Sequence, residues 1–241
     1  MNKETFINEI KKLGISISEN NYTDLEKYYE LLIEYNKKIN LTSITDKEEV
    51  FLKHFYDSLT LIKSIDLKTP QSLCDIGTGA GFPGLVLKII FPNLKITLVD
   101  ALDKRIKFLN LVIKELQLTN IETVHARSEE YSKTHIEEFD VVVSRAVSKT
   151  NILLEMTSQL VKINGLAIFM KANIDKELEE SEKAIKKLGF KTNRIEKFYL
   201  PIENSIRNLL ILEKISKTPK TYPREFSKIK KIHCKKQLSL V

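Results

Sequence analysis

A glycine-rich segment carries the residue types that point most clearly to ligand chemistry. The segment Asp75–Phe82 reads D-I-G-T-G-A-G-F, so three glycines stand at alternate positions after a short apolar run. Glycine has no Cβ, and its backbone can therefore turn tightly and approach a ligand closely. The dinucleotide fingerprint G-x-G-x-x-G would need glycine at position 82, where this chain has phenylalanine. The segment predicts a ligand-binding turn that differs from the usual dinucleotide type.

Two carboxylates near this turn indicate which ligand it would hold. Asp75 precedes Gly77 by two positions, and a negative charge there would repel a pyrophosphate. It would suit S-adenosylmethionine, which carries a sulfonium and an ammonium group and no phosphate. Asp100 ends the next predicted strand, where a carboxylate can accept hydrogen bonds from both hydroxyls of a ribose. We therefore expect Asp75, Gly77, Gly79 and Asp100 in an S-adenosylmethionine site, with a nicotinamide cofactor as the alternative.

The hydrophobic pattern predicts the elements that must position this turn. Strand-like runs are expected at Ser72–Ile76, Lys95–Asp100, Ile121–His125, Asp140–Ser144, Leu166–Met170, Lys191–Tyr199 and Asn208–Glu213. Helix-like stretches are expected between them at Gly84–Phe91, Lys104–Leu118, Ile152–Val161 and Lys176–Leu188. This alternation indicates an α/β fold with a doubly wound, mostly parallel, seven-stranded sheet. The last two strands, which follow each other directly, predict an antiparallel hairpin at one edge.

The chain before the first strand predicts a helical extension. Apolar residues recur at helical spacing from Leu25 to Ile39, and Thr23 and Glu26 form a capping-box pattern that predicts where this helix begins. Residues 47–65 predict one or two more helices. The expected parts are an N-terminal helical extension at 1–70, a ligand-binding domain at 71–213 and a basic tail at 214–241.

The positive charge of the chain is concentrated in that tail. The net charge is +7, and residues 214–241 hold nine lysines and arginines against one acid, Glu225. The first 213 residues hold 30 basic and 31 acidic side chains. A basic tail on a nearly neutral body predicts a phosphate-bearing partner such as a nucleic acid. A solvated tail without a partner is the alternative.

The composition argues against several classes of protein. Hydrophobic residues make up 42% and charged residues 29% of the chain, which is typical neither of a disordered protein nor of a membrane protein. Charges are spread through residues 1–12, so no signal peptide is expected. Cys74 and Cys234 are too far apart in sequence to indicate a disulfide framework or a metal site. We expect a cytoplasmic protein with no metal and no membrane segment.

Several separate segments carry a resemblance to a known family. They read N-x-x-x-N-L-T-x-I at Asn36–Ile44, H-x-x-D-S-L at His54–Leu59, D-x-G-x-G-x-G-F-P at Asp75–Pro83, S-R-A-V at Ser144–Val147 and T-P-K-x-Y-P-R at Thr218–Arg224. In their order and spacing they resemble the bacterial 16S ribosomal RNA guanine-N7 methyltransferases, also called glucose-inhibited division protein B. The resemblance covers about residues 35–215 and returns at Thr218–Arg224, but the family pattern that continues with glycine and proline is lost in Glu225–Lys236.

This resemblance implies a class I, Rossmann-like methyltransferase that uses S-adenosylmethionine. The implied substrate is N7 of a guanine in the 530 loop of 16S rRNA, and the implied partner is this RNA or the small ribosomal subunit. The family's cofactor positions correspond here to Gly77, Phe82, Ser128, Glu129 and Arg145. Ser128 replaces the alanine usual in the family, a change that a backbone contact would tolerate. Whether free RNA, the subunit or an assembly intermediate is methylated stays open, and a monomer is expected.

The implied reaction determines which side chains it would need. Guanine N7 has a lone pair and no proton, so no general base and no catalytic residue is predicted. Arg145 and Lys171 follow predicted strands at the edge where open α/β sheets bind ligands, and we expect them to contact the guanine or a phosphate. Phe82 is expected either to stack on the base or to pack on the cofactor. His54 and Asp57 share a helix face and are interpreted as a hydrogen-bonded structural pair, with a substrate contact as the alternative.

Other functions are compatible with parts of this pattern. A methyltransferase of the same fold could act on a small molecule or a protein, although the basic tail would then have no role. A nicotinamide oxidoreductase would bind its cofactor at the same turn. An RNA-binding protein without activity would retain the tail and a pocket that no longer works.

Overall fold

The computed structural model describes residues 1–229. Four lysines of the expected basic tail, and one of the two cysteines, lie outside the described residues: Lys230, Lys231, Lys235, Lys236 and Cys234. The structure therefore bears on the extension, the sheet and the first part of the tail.

A single sheet organises the chain. Its strands are β1 (Ser72–Ile76), β2 (Lys95–Asp100), β3 (Ile121–His125), β4 (Phe139–Arg145), β5 (Val161–Lys171), β6 (Phe190–Tyr199) and β7 (Ile206–Lys214). The order across the sheet is β3-β2-β1-β4-β5-β7-β6. Strands β1 to β5 are parallel, whereas β7 runs antiparallel to both β5 and β6. The predicted doubly wound sheet with an antiparallel edge hairpin is confirmed.

Helices cover both faces of the sheet. They are α1 (Lys3–Lys12), α2 (Glu19–Asn36), α5 (Gly84–Ile90), α6 (Asp103–Glu115), α7 (Ser128–Thr134), α8 (Thr150–Thr157) and α9 (Asp175–Lys187), with the short α3 and α4 described below. One apolar core packs α1, α2, α5 and α6 against one face of the sheet. A second core joins α8 and α9 to the opposite face. Because the chain order reverses between β1 and β4, the carboxyl ends of these two strands flank the crevice where such sheets bind ligands.

The helical segment after α2 is irregular. It consists of α3 (Lys47–Val50), a π-helical segment (Phe51–Tyr56), α4 (Asp57–Leu59) and a 3-10 turn (Thr60–Lys63). Such π-helical turns interrupt helices most often at functional sites. His54 lies within this one and faces the crevice region described below.

The start of α2 differs from the sequence prediction. Ser18 is the N-cap, and its hydroxyl accepts from the backbone of Asn21 while the Asn21 side chain accepts from the backbone N–H of Ser18. Thr23 lies inside the helix, where its hydroxyl donates to the Glu19 carbonyl. The capping box predicted at Thr23 and Glu26 is therefore wrong. Ser18 caps the helix because Asn21, three positions later, returns the hydrogen bond to the backbone N–H of Ser18.

Candidate active site

The glycine loop follows β1 and adopts a conformation that few side chains permit. The φ angles of Gly77, Gly79 and Gly81 are 67°, 63° and 101°, in the left-handed region that favours glycine. A Cβ added at Gly81 would lie 2.4 Å from Leu85 Cδ1 and 2.7 Å from the Tyr28 hydroxyl, so the loop packs closely on the core there. At Gly79 the only atom within 4 Å of an added Cβ is the Gly77 carbonyl oxygen, at 4.0 Å. Gly79 therefore borders open space.

Asp75 organises this loop from beneath. Its Oδ2 accepts from the Thr78 hydroxyl at 2.7 Å and from the Gly84 backbone N–H at 2.8 Å. The carboxylate is fully buried, and its Oδ1 has no hydrogen-bond partner among the described residues. Burial raises the pKa of Asp75 to about 6, although the Thr78 and Gly84 hydrogen bonds oppose the shift. Asp75 is thus a buried negative charge under the loop, and it does not line the crevice as the sequence suggested.

Asp100, at the end of β2, closes the other side of the loop. Its Oδ2 accepts from the Gly79 backbone N–H at 3.0 Å, and its Oδ1 accepts from the Leu102 N–H at 3.0 Å. Arg105 forms an ion pair with it at 3.1 Å. The carboxylate therefore has a fixed direction at the wall of the cavity.

A cavity of about 500 Å³ opens between these elements. Its volume lies in the range of small-ligand sites. Predicted cofactor residues that line it are Gly77, Gly79, Phe82, Asp100, Ser128 and Arg145. The predicted residues that do not line it are Asp75 and Glu129, which are buried behind it. Leu41, Thr42 and His54 of the helical extension form a further wall.

Arg145 connects the sheet to the extension. Its Nη1 donates to the Lys53 carbonyl at 3.1 Å and forms an ion pair with Asp57 at 3.4 Å, and its Nη2 lies 3.2 Å from His54 Nδ1. The guanidinium carbon stands 5.0 Å from the centre of the Phe82 ring. Arg145 is therefore held by four groups at the edge of the cavity, with little freedom to move.

The interpretation of His54 and Asp57 as a mutual hydrogen-bonded pair is wrong. Asp57 pairs with Arg145 and with Arg207, the latter at 3.2 Å, and His54 contacts the Thr42 hydroxyl at 2.9 Å and Arg145. The two residues are linked through Arg145. Burial and the Arg145 charge lower the pKa of His54 to about 3, so its ring is neutral at physiological pH.

Phe82 is buried and already stacked. Its ring centre lies 4.5 Å from that of His54, with 22° between the planes. The Phe82 ring therefore packs against both His54 and Arg145. The prediction of an open stacking platform for a base is not supported by this packing.

Comparison with known proteins connects this site to a family. The family model named GidB, described as rRNA small subunit methyltransferase G, matches residues 21–207. Ribosomal RNA small subunit methyltransferase G of Bacillus licheniformis is 48% identical, over 93% of this chain and 95% of that protein. The Bacillus subtilis protein of the same name is 46% identical with the same coverage.

The chain belongs to the GidB family. The prediction of a methyltransferase of small-subunit ribosomal RNA is confirmed by this membership. Among solved structures, M. jannaschii TYW2 in complex with AdoMet has a TM-score of 0.56 and 15% identity, covering 72% of this chain and 80% of that one. A methyltransferase from Aquifex aeolicus, described as SAM dependent, has a TM-score of 0.53 and 16% identity, covering 76% and 98%. At this identity the two likenesses support the fold alone.

Lys171 has a different environment in this GidB-family chain from the one expected. Its ammonium group donates to the Ser148 carbonyl at 2.5 Å and to Glu177 at 2.7 Å. Glu177 also accepts from the Thr150 backbone N–H. Lys171 therefore fixes the loop that follows Arg145, and the expected contact with guanine or phosphate stays a prediction.

Sequence reasoning missed Leu41, Thr42 and Arg105 as residues of the site. Thr42 belongs to the N-L-T part of the segment Asn36–Ile44, but the motif does not indicate which part of the protein Thr42 contacts. The Asn36 side chain determines its position, since Asn36 Oδ1 accepts from the backbone N–H groups of Leu41 and Thr42 at 2.7 and 3.0 Å. The asparagine that opens the motif therefore shapes the loop that reaches the cavity.

Residues 1–229 contain neither a metal-binding cluster nor a membrane-spanning helix. Within this range no group of three or more His, Cys, Asp or Glu side chains lies close enough together to hold a metal ion. The same residues include no helix with the length and apolar character needed to span a membrane.

Proposed function

We propose that this chain transfers the methyl group of S-adenosylmethionine to N7 of a guanine in 16S rRNA. The observation that carries the proposal is the cavity at the point where the sheet order reverses, bordered by an open glycine loop and by Asp100. Family membership gives the substrate class. The cavity has the polarity and volume that a nucleoside carrying an amino acid group requires.

The residues present fit this donor. The space beside Gly79 allows a ligand to approach the loop closely, and Asp100 can accept hydrogen bonds from a ribose. The buried charge of Asp75 beneath the loop favours a cationic ligand, because its Oδ1 accepts no hydrogen bond from the described residues. Ser128 begins α7, whose first backbone N–H groups have no partner within the helix. These features support Gly77, Gly79, Phe82, Asp100, Ser128 and Arg145 as the donor site, with Asp75 and Glu129 as its support.

The chemistry then needs positioning and not proton transfer. When bound, S-adenosylmethionine supplies an electrophilic methyl group: the N7 lone pair forms the new bond to carbon, and the electrons of the carbon–sulfur bond stay on sulfur. The residues of this chain have to hold the purine in line and exclude water, an effect worth up to about 7–11 kcal/mol in well-oriented systems. His54, neutral and buried, takes part in that positioning without acting as a base.

Transfer of a radiolabelled methyl group tests this proposal. We expect purified protein with S-adenosylmethionine to label 16S rRNA, offered as free RNA or as small subunits, and mass mapping to place the label on N7 of one guanine. Calorimetry should show binding of S-adenosylhomocysteine and none of NAD. Labelling of a protein or a small molecule instead would favour the alternative substrate, and labelling of nothing would contradict the proposed activity.

We also propose that the three parts of the chain divide this work. The helical extension, 1–70, supplies the substrate wall of the cavity, 71–213 binds the methyl donor, and 214–241 contacts RNA phosphates. We also propose that the enzyme works as a monomer in the cytoplasm, where its ribosomal RNA substrate is made.

The described part of the tail forms a cationic cavity suited to the phosphate contacts. A space of about 540 Å³ is lined by three lysines, Lys133, Lys217 and Lys220, and by one acid, Glu137. The surrounding loop is anchored by the buried Thr218, whose hydroxyl donates to the Leu188 carbonyl at 2.9 Å, and by Arg224, whose Nε donates to Glu155 at 2.6 Å. The lysines are therefore presented by a rigid loop, which limits the entropy lost on binding RNA.

Replacing Lys217 and Lys220 together with alanine should weaken RNA binding in a salt-dependent way. Each phosphate contact contributes roughly 0.7–0.9 to the slope of log affinity against log salt concentration. We expect the slope to fall by about 1.5, KM for RNA to rise, and kcat to change little. Filter binding at salt concentrations from about 50 to about 300 mM measures the slope. Phosphate contacts depend strongly on salt concentration in this range.

The matched control is Lys11→Ala with Lys12→Ala, which removes the same charge from α1, on the other face of the sheet. This variant should retain the wild-type slope. Equal slopes for the two double variants would mean that the lysines of the tail cavity do not contact phosphate.

A further inference from the structure

Thr42 is held rigidly at the wall of the cavity. Its backbone N–H donates to Asn36 Oδ1 at 3.0 Å, and its carbonyl accepts from Asn36 Nδ2 at 3.0 Å. These two bonds fix the peptide groups on both sides of the residue. Thr42 lines the same cavity as Gly79 and Arg145.

The tautomer of His54 follows from its neighbours. Arg145 is always protonated, and its Nη2 lies 3.2 Å from His54 Nδ1, so Nδ1 must accept. The Lys53 carbonyl lies 3.1 Å from the same nitrogen, but it accepts from Arg145 Nη1 at 3.1 Å. The guanidinium thus donates to both acceptors, and the ring proton is on Nε2.

With this tautomer of His54, the Thr42 hydroxyl can act at the cavity only as a hydrogen-bond donor. His54 Nε2–H donates to the Thr42 hydroxyl oxygen at 2.9 Å, and the Ile44 backbone N–H donates to it at 3.1 Å. Both lone pairs of the oxygen are then occupied. The hydroxyl proton has no acceptor among residues 1–229, and Thr42 is one of the residues that line the cavity. Thr42 therefore offers one neutral hydrogen-bond donor to whatever the cavity holds.

We propose that the Thr42 hydroxyl donates to O6 of the guanine, making Thr42 a specificity-determining residue for methyl transfer; this rests on the proposed function. Guanine presents N7 and O6 as adjacent acceptors on one edge, whereas adenine presents N7 beside an amino group. The Thr42 hydroxyl, held in place by Asn36 and His54, can donate to guanine O6. Opposite adenine it would meet the amino group, which is itself a donor. The purine becomes positively charged as N7 is methylated, so a neutral donor suits it better than a cation. The Arg145 guanidinium contacts His54 and not Thr42, and His54 therefore separates its charge from the donor.

The test pairs Thr42→Val with a change in the RNA. Valine keeps the shape of threonine without the hydroxyl, and 2-aminopurine at the target position keeps N7 but lacks O6. We expect Thr42→Val to lower kcat/KM on guanine RNA by roughly 10- to 100-fold, the usual effect of leaving one polar group unpaired. On 2-aminopurine RNA, wild type and Thr42→Val should react at the same rate, because the hydrogen bond is absent from both.

Controls separate this role from a structural one. Thr42→Ser keeps the hydroxyl and should retain most of the activity, and affinity for S-adenosylhomocysteine should be the same in all variants. If Thr42→Val lowers the rate on both RNAs by one factor, or if the serine variant is as slow as valine, the proposal is overturned while the methyltransferase activity stands. If wild type labels no guanine RNA, the proposed function fails and this inference fails with it.

Discussion

Gly79→Ala is expected to abolish binding of the methyl donor while leaving the fold intact. The new Cβ would meet no protein atom closer than 4.0 Å, so it would project into the cavity where the donor approaches the loop. We expect affinity for S-adenosylhomocysteine to fall by at least about 100-fold, as a lost close contact and a steric conflict act together. The left-handed φ of 63° adds a folding cost of roughly 1–2 kcal/mol. Calorimetry measures the affinity and urea unfolding the stability.

Gly81→Ala is the informative comparison, since it lies two residues away in the same loop. Its Cβ would stand 2.4 Å from Leu85 Cδ1 and 2.7 Å from the Tyr28 hydroxyl, both in the buried core. Overpacking costs about 1–3 kcal/mol and backbone strain a similar amount, so this variant should lose stability first and binding as a consequence. Wild-type affinity in Gly79→Ala would show that the donor binds elsewhere.

The sheet was predictable from sequence because its signals are local. Strands β1, β2 and β3 have the predicted bounds. The run of β1 is mostly apolar and is followed by Gly77, and that of β2 ends at Asp100, whereas β3 reads IETVH and is rich in β-branched residues. Helix α7 was missed for the opposite reason. It reads SEEYSKT, and Tyr131 is its one buried large apolar residue, so its sequence has no helical period to detect. The resemblance implied Ser128 and Glu129 as cofactor positions, but it did not indicate that a helix begins there.

Sheet topology accounts for the predicted cavity residues that follow strands, whereas Phe82 and Ser128 were implied by the family resemblance. Gly77, Asp100 and Arg145 come directly after or at the ends of parallel strands, and topology brings such positions together. The partner of Asp57 could not be found in this way. The sequence suggested His54, three positions away, whereas the structure pairs Asp57 with Arg145, 88 positions away, and with Arg207, 150 positions away. Those contacts depend on how the extension packs on the sheet, which no local pattern records.

Arg145→Leu should lower both stability and activity, and its effect on stability should depend on pH. Asp57 would keep only Arg207 as a partner while its side chain stays 6% exposed. Removing one partner of a buried pair costs about 3–5 kcal/mol, and we expect about 2–3 kcal/mol at pH 7.5, because Arg207 remains and Arg145 is itself 15% exposed. Loss of the donor to His54 should lower kcat/KM by roughly 100-fold.

The sign of the pH effect follows from Asp57. Burial already raises the pKa of this carboxyl, and both arginines oppose the shift. Without Arg145 the pKa rises further, so the folded variant binds a proton that the unfolded chain releases, and its stability increases as pH falls. We therefore expect the difference in unfolding free energy between wild type and Arg145→Leu to be smaller at pH 5 than at pH 7.5.

Arg207→Leu separates the two roles of Arg145. Arg207 is also a partner of Asp57, with a similar exposure of 20%, but it is not among the residues that line the donor cavity. It should show the same pH-dependent loss of stability and keep its affinity for S-adenosylhomocysteine and its methyl-transfer rate constant. Because Asp57 lies on the extension and its two arginines lie on β4 and β7, this carboxylate holds the helical extension against the sheet. A penalty that stays constant between pH 5 and 7.5 in both variants would mean that Asp57 is not the group left unpaired.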